Sequence, residues 1–183
     1  MSSECTVCAV GELCSLHFPD IDAFVHQAQF TTFALAIGPH TIIATYSGDT
    51  GWQASASSAV SVKVAYQFVG FSQPVDNNGV INIAKAGQGI PLKWRLLDAN
   101  GNPVTNLTSV SVTVTSLSCS VGTPTDAIDE YTAGASGLQN LGNGYYQWNW
   151  KTPTSYANTC KTLKLDLGEG AGNEHTALFQ FKK

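Results

Sequence analysis

The chain predicts an all-β protein whose larger part is a β-sandwich of about seven short strands. Three observations carry this. Residues 66–183 hold short runs in which apolar and polar residues alternate, the period of a half-buried strand. Turn-forming clusters rich in Gly, Asn, Asp and Pro separate those runs. Two cysteines, Cys119 and Cys160, each stand beside such a run, an arrangement that suits a disulfide clamping two strands.

Residues 1–28 form an atypical N-terminal segment with three of the five cysteines and two of the four histidines. Ile21, Phe24 and Val25 suit one short amphipathic helix started by Asp20 or Asp22. From residue 29 the texture is β. Phe30 to Phe33 lead to a turn at Ile37-Gly38-Pro39, and His40 to Tyr46 alternate. Ser47-Gly48-Asp49 closes that strand. After a loop containing Trp52, Val60, Val62 and Val64 alternate with Ser61, Lys63 and Ala65.

The second unit offers strands at Tyr66–Phe71, Val80–Ala84, Ile90–Leu97, Ser109–Leu117, Tyr145–Trp150, Thr162–Leu167 and Thr176–Phe181. Five apolar stripes should build its core: Leu92/Trp94/Leu96, Val110/Val112/Val114, Tyr146/Trp148/Trp150, Leu163/Leu165/Leu167 and Ala177/Phe179/Phe181. Leu117 and Cys119 fall out of phase with the valine stripe, which predicts a bulge or strand end near Ser116.

Hydrophobic residues make up 43% of the 183, charged residues 12%, and the net charge is −4. The only Lys/Arg doublet is Lys182-Lys183, so no nucleic-acid footprint is present. No apolar run is long enough for a transmembrane helix. The start, Met1-Ser2-Ser3-Glu4, has no signal-peptide character, while the Cys119/Cys160 pair implies an oxidising compartment. Both fit if the chain is a piece of a larger exported protein, extracellular or on a cell surface.

The run from Gly38 to Asp49 resembles the late strands of a bacterial immunoglobulin-like repeat. Only the second half of such a repeat is visible, so residues 29–65 read as a partial unit. The second unit resembles the PxKF domain. The matching pieces, in family order, are Tyr66, Phe68 and Gly70-Phe71; Pro74 to Asn77; Lys85-Ala86-Gly87; and Ile90-Pro91-Leu92-Lys93-Trp94. Thr132-Ala133-Gly134, Gly144-Tyr145-Tyr146, Trp150-Lys151-Thr152, Thr159-Cys160 and the stretch from Glu174 to Lys182 follow. Trp94 departs from the Phe of the motif. The resemblance implies an immunoglobulin-like sandwich at the end of a bacterial surface or secreted protein, with neighbouring immunoglobulin-like domains as partners. It implies no catalytic activity.

Cys5, Cys8, Cys14 and His17 form C-x2-C-x5-C-x2-H, a ligand set suited to tetrahedral zinc. The five residues between the pairs leave little room for a folded turn. That spacing favours cysteines paired with one another or an unstructured terminus, so no metal or other cofactor is assigned. Asp98, Asn100 and Asn102 imitate a calcium loop, but Pro103 and Ser109 stand where its Gly and Glu belong; a hairpin turn between Leu96 and Val104 is expected instead.

Alternation leaves Tyr145, Gln147 and Asn149 outside, and Trp52 is the other exposed aromatic, so Trp52 and Tyr145 are the candidate binding residues for glycan or protein. Lys93 points outward and should pair with Asp76 or Glu174. His26, His40 and His175 show no partners, and no hydrolase motif occurs. The expected function is a non-enzymatic structural module, a spacer or terminal cap. The alternatives are an adhesin-type binding module, or a homo-oligomer formed by strand exchange at an open edge of the first unit.

Overall fold

The computed structural model describes residue 32 and residues 35–48, 50–77, 79–120, 127–128 and 137–183 in full, and residues 4–9, 16–17 and 123–126 by their backbone. The helix expected near residues 20–25 and the Thr132-Ala133-Gly134 piece lie outside the described residues. The described chain is all-β and divides into two compact units, residues 1–65 and 66–183.

The first unit is one antiparallel sheet. Its centre is β3 (Gly38–Tyr46), where the β-branched residues Thr41, Ile42, Ile43 and Thr45 favour the extended chain. On one side β3 pairs with β1 (Glu4–Ala9), from Cys5 opposite Tyr46 to Ala9 opposite Ile42. β2 (Leu16–His17) continues the sheet beyond β1. On the other side lie β4 (Ser55–Ala56) and β5 (Val60–Val64). The segment unlike the rest of the sequence therefore supplies a strand, and β3 has neighbours from its own chain on both sides.

The second unit is an immunoglobulin-like sandwich. One sheet has the order β11-β12-β8-β6, from Leu138–Gly142, Tyr145–Lys151, Gly89–Leu97 and Gln67–Ser72. The other has the order β10-β7-β14-β13-β9, from Thr123–Ala127, Val80–Lys85, His175–Lys182, Cys160–Asp166 and Ser111–Leu117. Set aside β10, and these are the two layers of an immunoglobulin fold, with the opening strand divided between the sheets. β6 belongs to one layer, the chain turns at a cis Gln73–Pro74 peptide, and β7 joins the other layer parallel to β14.

All five stripes pack into the shared core. Leu92, Trp94, Leu96, Tyr146, Leu163, Leu165, Phe179 and Phe181 are fully buried, with Trp150, Leu167 and Ala177 close behind. Each of the large apolar side chains contributes about 2–3 kcal/mol by leaving water. Val110, Val112, Val114 and Trp148 are half-buried and pack against the same cluster. The Trp150 ring meets Phe179 and Phe181 edge-on, at centroid distances of 5.1 and 5.7 Å.

Buried polar groups tie the frame together. Asn82 is fully buried; its amide nitrogen donates to the Asp76 and Leu178 carbonyls, and its oxygen accepts the Asp76 N–H. The Asn77 amide pairs with both backbone groups of Phe71, where β6 is irregular at Gly70. Tyr146 Oη donates to the Val104 carbonyl and accepts the Leu107 N–H, which draws the β8–β9 connection over the core. Gly144 has a φ of 77°, and a Cβ there would strike the Leu96 carbonyl, so the turn between β11 and β12 requires glycine.

Of the two alternatives expected near Ser116, a bulge or a strand end, the structure shows the strand end. β9 stays in register with β13 through Ser116 opposite Lys161 and ends at Leu117 opposite Cys160. Leu117 is out of phase with Val112 and Val114 because it points to the outer face. Cys160, by its alternation with Leu163 and Leu165, takes that same side.

Candidate functional site

The disulfide is formed. Cys119 lies just beyond β9 and Cys160 opens β13; their Cα atoms are 5.2 Å apart and they stand 41 positions apart in sequence. It joins neighbouring strands of one sheet.

The most organised group of polar side chains centres on Glu169. Its side chain is 1% exposed. One carboxylate oxygen accepts the Tyr66 backbone N–H at 2.7 Å, and the other lies 2.8 Å from His175 Nε2. The His175 ring stacks on Phe68 with 3.8 Å between centroids and 10° between planes. The Glu169 carbonyl accepts from the Asn173 amide. Burial, then the nearby Tyr146 and Glu169, raises the Tyr66 phenol above its ordinary value. The expectation that His175 lacks a partner is thus corrected. In the sequence Glu169 reads as a turn residue between Gly168 and Gly170, and its backbone partner is 103 positions away.

A carboxylate that orients an imidazole is half of a nucleophilic triad. Here Phe68 covers the imidazole face, the second carboxylate oxygen is occupied by Tyr66, and among the described residues no Ser, Thr or Cys side chain bonds to His175. The arrangement braces the entry of the chain into the sandwich. His40 also has a partner, its Nε2 lying 2.6 Å from the Ala36 carbonyl. His26 lies outside the described residues.

Asp98 organises the hairpin expected between Leu96 and Val104. One carboxylate oxygen accepts the N–H groups of Asn100 and Asn102, and the other accepts the Asn102 amide. The Val104 N–H reaches the Leu96 carbonyl at 3.1 Å. The bonds from Asn102 and then Asn100 hold the Asp98 carboxyl below its ordinary value. The carboxylate thus serves turn donors of its own loop.

Pro91 is opposite Asn149 on β12, while β6 reaches only to Lys93, so Pro91 has a strand neighbour on one side alone. That is a place where a sheet tolerates proline. Trp94 is fully buried and stacks with Tyr146, and among the described residues its indole N–H has no acceptor. Lys93 points outward but pairs with neither Asp76 nor Glu174. Among the described residues it forms no ion pair, and Asp76 accepts from Gln73.

Trp52 is 75% exposed, over an open basin bounded by Ser47, Gly48, Gln53 and Ala54. Tyr145 is 43% exposed and carries the Arg95 guanidinium over its ring at 5.1 Å. Trp52 belongs to the first unit and Tyr145 to the second. For the zinc set, Cys5 and Cys8 fall on β1 and His17 on β2 opposite Glu4; their side chains, and Cys14, lie outside the described residues. Among the described residues no three His, Cys, Asp or Glu side chains gather as a metal site. No helix among them is long and apolar enough to cross a membrane.

No family model and no curated protein matches the chain. Among solved structures, it is similar to domains 4 and 5 of the S-layer protein SbsC, at 16% identity and a TM-score of 0.34, over 98% of this chain and 70% of that one. A longer SbsC structure matches at 18% identity and a TM-score of 0.29, over 80% of this chain and 17% of that one. A chimeric titin tandem carrying a fibronectin peptide matches at 12% identity and a TM-score of 0.29, over 99% and 84%. Identities and scores this low leave the fold to rest on the strand order described above.

Proposed function

We propose that the chain is a non-enzymatic structural module of a bacterial surface or secreted protein, a spacer or terminal cap, with residues 66–183 as a PxKF-like domain. The Cys119–Cys160 disulfide carries this reading. A cross-link inside the frame is suited to an oxidising, extracellular setting, where thiols are not held reduced. The buried polar residues support it: Asn82 and Glu169 are both committed to holding strands and turns in place. Pro91 and Trp94 of the resembling motif sit in β8, a strand with neighbours on both sides for most of its length.

The test is differential alkylation and mass spectrometry of the protein recovered from fractions of its producing cell. The expected result is a Cys119–Cys160 cross-linked peptide in the surface or secreted fraction. A chain found only in the cytoplasm with both thiols free sinks the reading.

A further inference from the structure

The four strands β6, β8, β11 and β12 contain no Asp or Glu, yet they hold Lys93, Arg95 and Lys151. The strands of the opposite sheet mix their lysines with Asp126 and Asp166. Alternation sends all three cations to the outer side, because Leu92, Trp94, Tyr146 and Trp150 fill the inner one. The register gathers them on one surface. Tyr145 is opposite Arg95, Gln147 is opposite Lys93, and Gln139 lies beyond Gln147. Lys151 stands at the far end, opposite Gly89, about 20 Å from Tyr145 at the rise of an antiparallel strand.

These cations have no counter-charge among the described residues: none of the three forms an ion pair. Arg95 is nevertheless held in place: its Nε donates to the Asn143 carbonyl at 3.2 Å and its guanidinium lies over Tyr145. Its terminal N–H groups face no protein acceptor among the described residues. A fixed planar fork without a counter-charge is suited to a carboxylate. Gln147 donates to Asn149, and among the described residues its own oxygen has no donor, which suits it to a hydroxyl. The exposed Tyr145 edge offers an apolar surface for a sugar ring.

We propose that this face binds an acidic polysaccharide whose uronic acid carboxylates meet Arg95, Lys93 and Lys151. The charge complementarity selects an anion, and the amide and aromatic groups between the cations select a sugar. A face about 20 Å long suits a chain over a small molecule. The inference stands apart from the spacer reading, since a module with or without a structural task can carry such a face.

The experiment uses the full chain with an oligogalacturonate hexamer, followed by calorimetry and two-dimensional NMR. The controls are the fully methyl-esterified hexamer and a poly-glutamate peptide of similar charge. The uronate should bind with affinity that falls as salt rises, and the ester should bind at least about tenfold more weakly. Lys93→Gln with Arg95→Gln should weaken binding about tenfold and Tyr145→Ala about fivefold, while Lys164→Gln, on the opposite sheet, should change nothing. If the double variant does not fold, Lys151→Gln and the ester comparison serve in its place. Absence of NMR shifts at millimolar hexamer overturns the proposal, and so does equal weakening by Lys164→Gln. Poly-glutamate binding as tightly as the uronate overturns it in favour of a protein-docking face.

Discussion

Glu169 and His175 form the polar brace of the sandwich, with 2.8 Å between the carboxylate and Nε2. The pair bridges the turn before β14 and the start of β14 itself, and it reaches the opening of the domain through Tyr66 and Phe68. Glu169→Ala would leave the Tyr66 N–H and the half-buried imidazole without their acceptor. The expected cost is about 2–3 kcal/mol in urea unfolding. Glu169→Gln keeps an oxygen for Tyr66 and should cost less. A loss below about 0.5 kcal/mol for the alanine variant would show that the brace does not stabilise the fold.

Reducing the disulfide should destabilise the second unit by about 4 kcal/mol, because a closed loop spanning 41 positions restricts the unfolded chain. Thermal melts with and without reductant, beside a Cys119→Ser/Cys160→Ser variant, measure this. Unchanged melting under full reduction would contradict it.

Trp94 combines full burial with an indole N–H that has no acceptor among the described residues. Replacing it by Phe removes ring volume but also removes the unpaired donor. The two effects oppose each other, so Trp94→Phe should stay within about 1 kcal/mol of the parent. Trp94→Ala, which only empties the core, should cost about 3–5 kcal/mol. Equilibrium unfolding of both variants checks the contrast; a Phe variant as damaging as the Ala variant refutes it.

Asp98 has a carboxyl held low by its turn donors. A group whose folded value lies below its unfolded value stabilises the fold above the unfolded value and loses that contribution as pH falls through the folded one. Stability should therefore decline as pH drops below about 4, and Asp98→Asn should flatten part of that decline. Denaturant midpoints measured down to about pH 2 test it. Identical pH profiles for the two proteins would rule out a contribution from this turn.

The strand stripes were legible because period-two alternation survives in a single sequence wherever one face is buried. Leu163, Leu165 and Leu167 could face only one way, and so could Phe179 and Phe181. β10 and β11 were not legible. Thr-Pro-Thr-Asp-Ala and Leu-Gln-Asn-Leu-Gly carry weak strand preference, and they pair because β7 and β12 present free edges to them. The Asp98 hairpin was readable from its turn residues. Glu169 was not, since its task depends on a backbone group 103 positions away. The cationic face was half visible: Lys93 and Arg95 are two apart on one strand, but only the pairing of β12 with β8 brings Lys151 to their side.

The parallel pairing of β7 with β14, from Leu178 beside Ile81 to Lys182 beside Lys85, has a mechanical consequence. Tension applied at the start of β7 and the end of β14 pulls two parallel strands lengthwise past each other, so their ladder bonds resist together and do not open one at a time. The disulfide then withholds its own loop from the extension. A single-molecule pulling trace of the second unit should lengthen by about 140 Å once the bond is reduced, the reach of 41 residues less the 5.2 Å the cross-link already spans. Equal extensions in both redox states would contradict it.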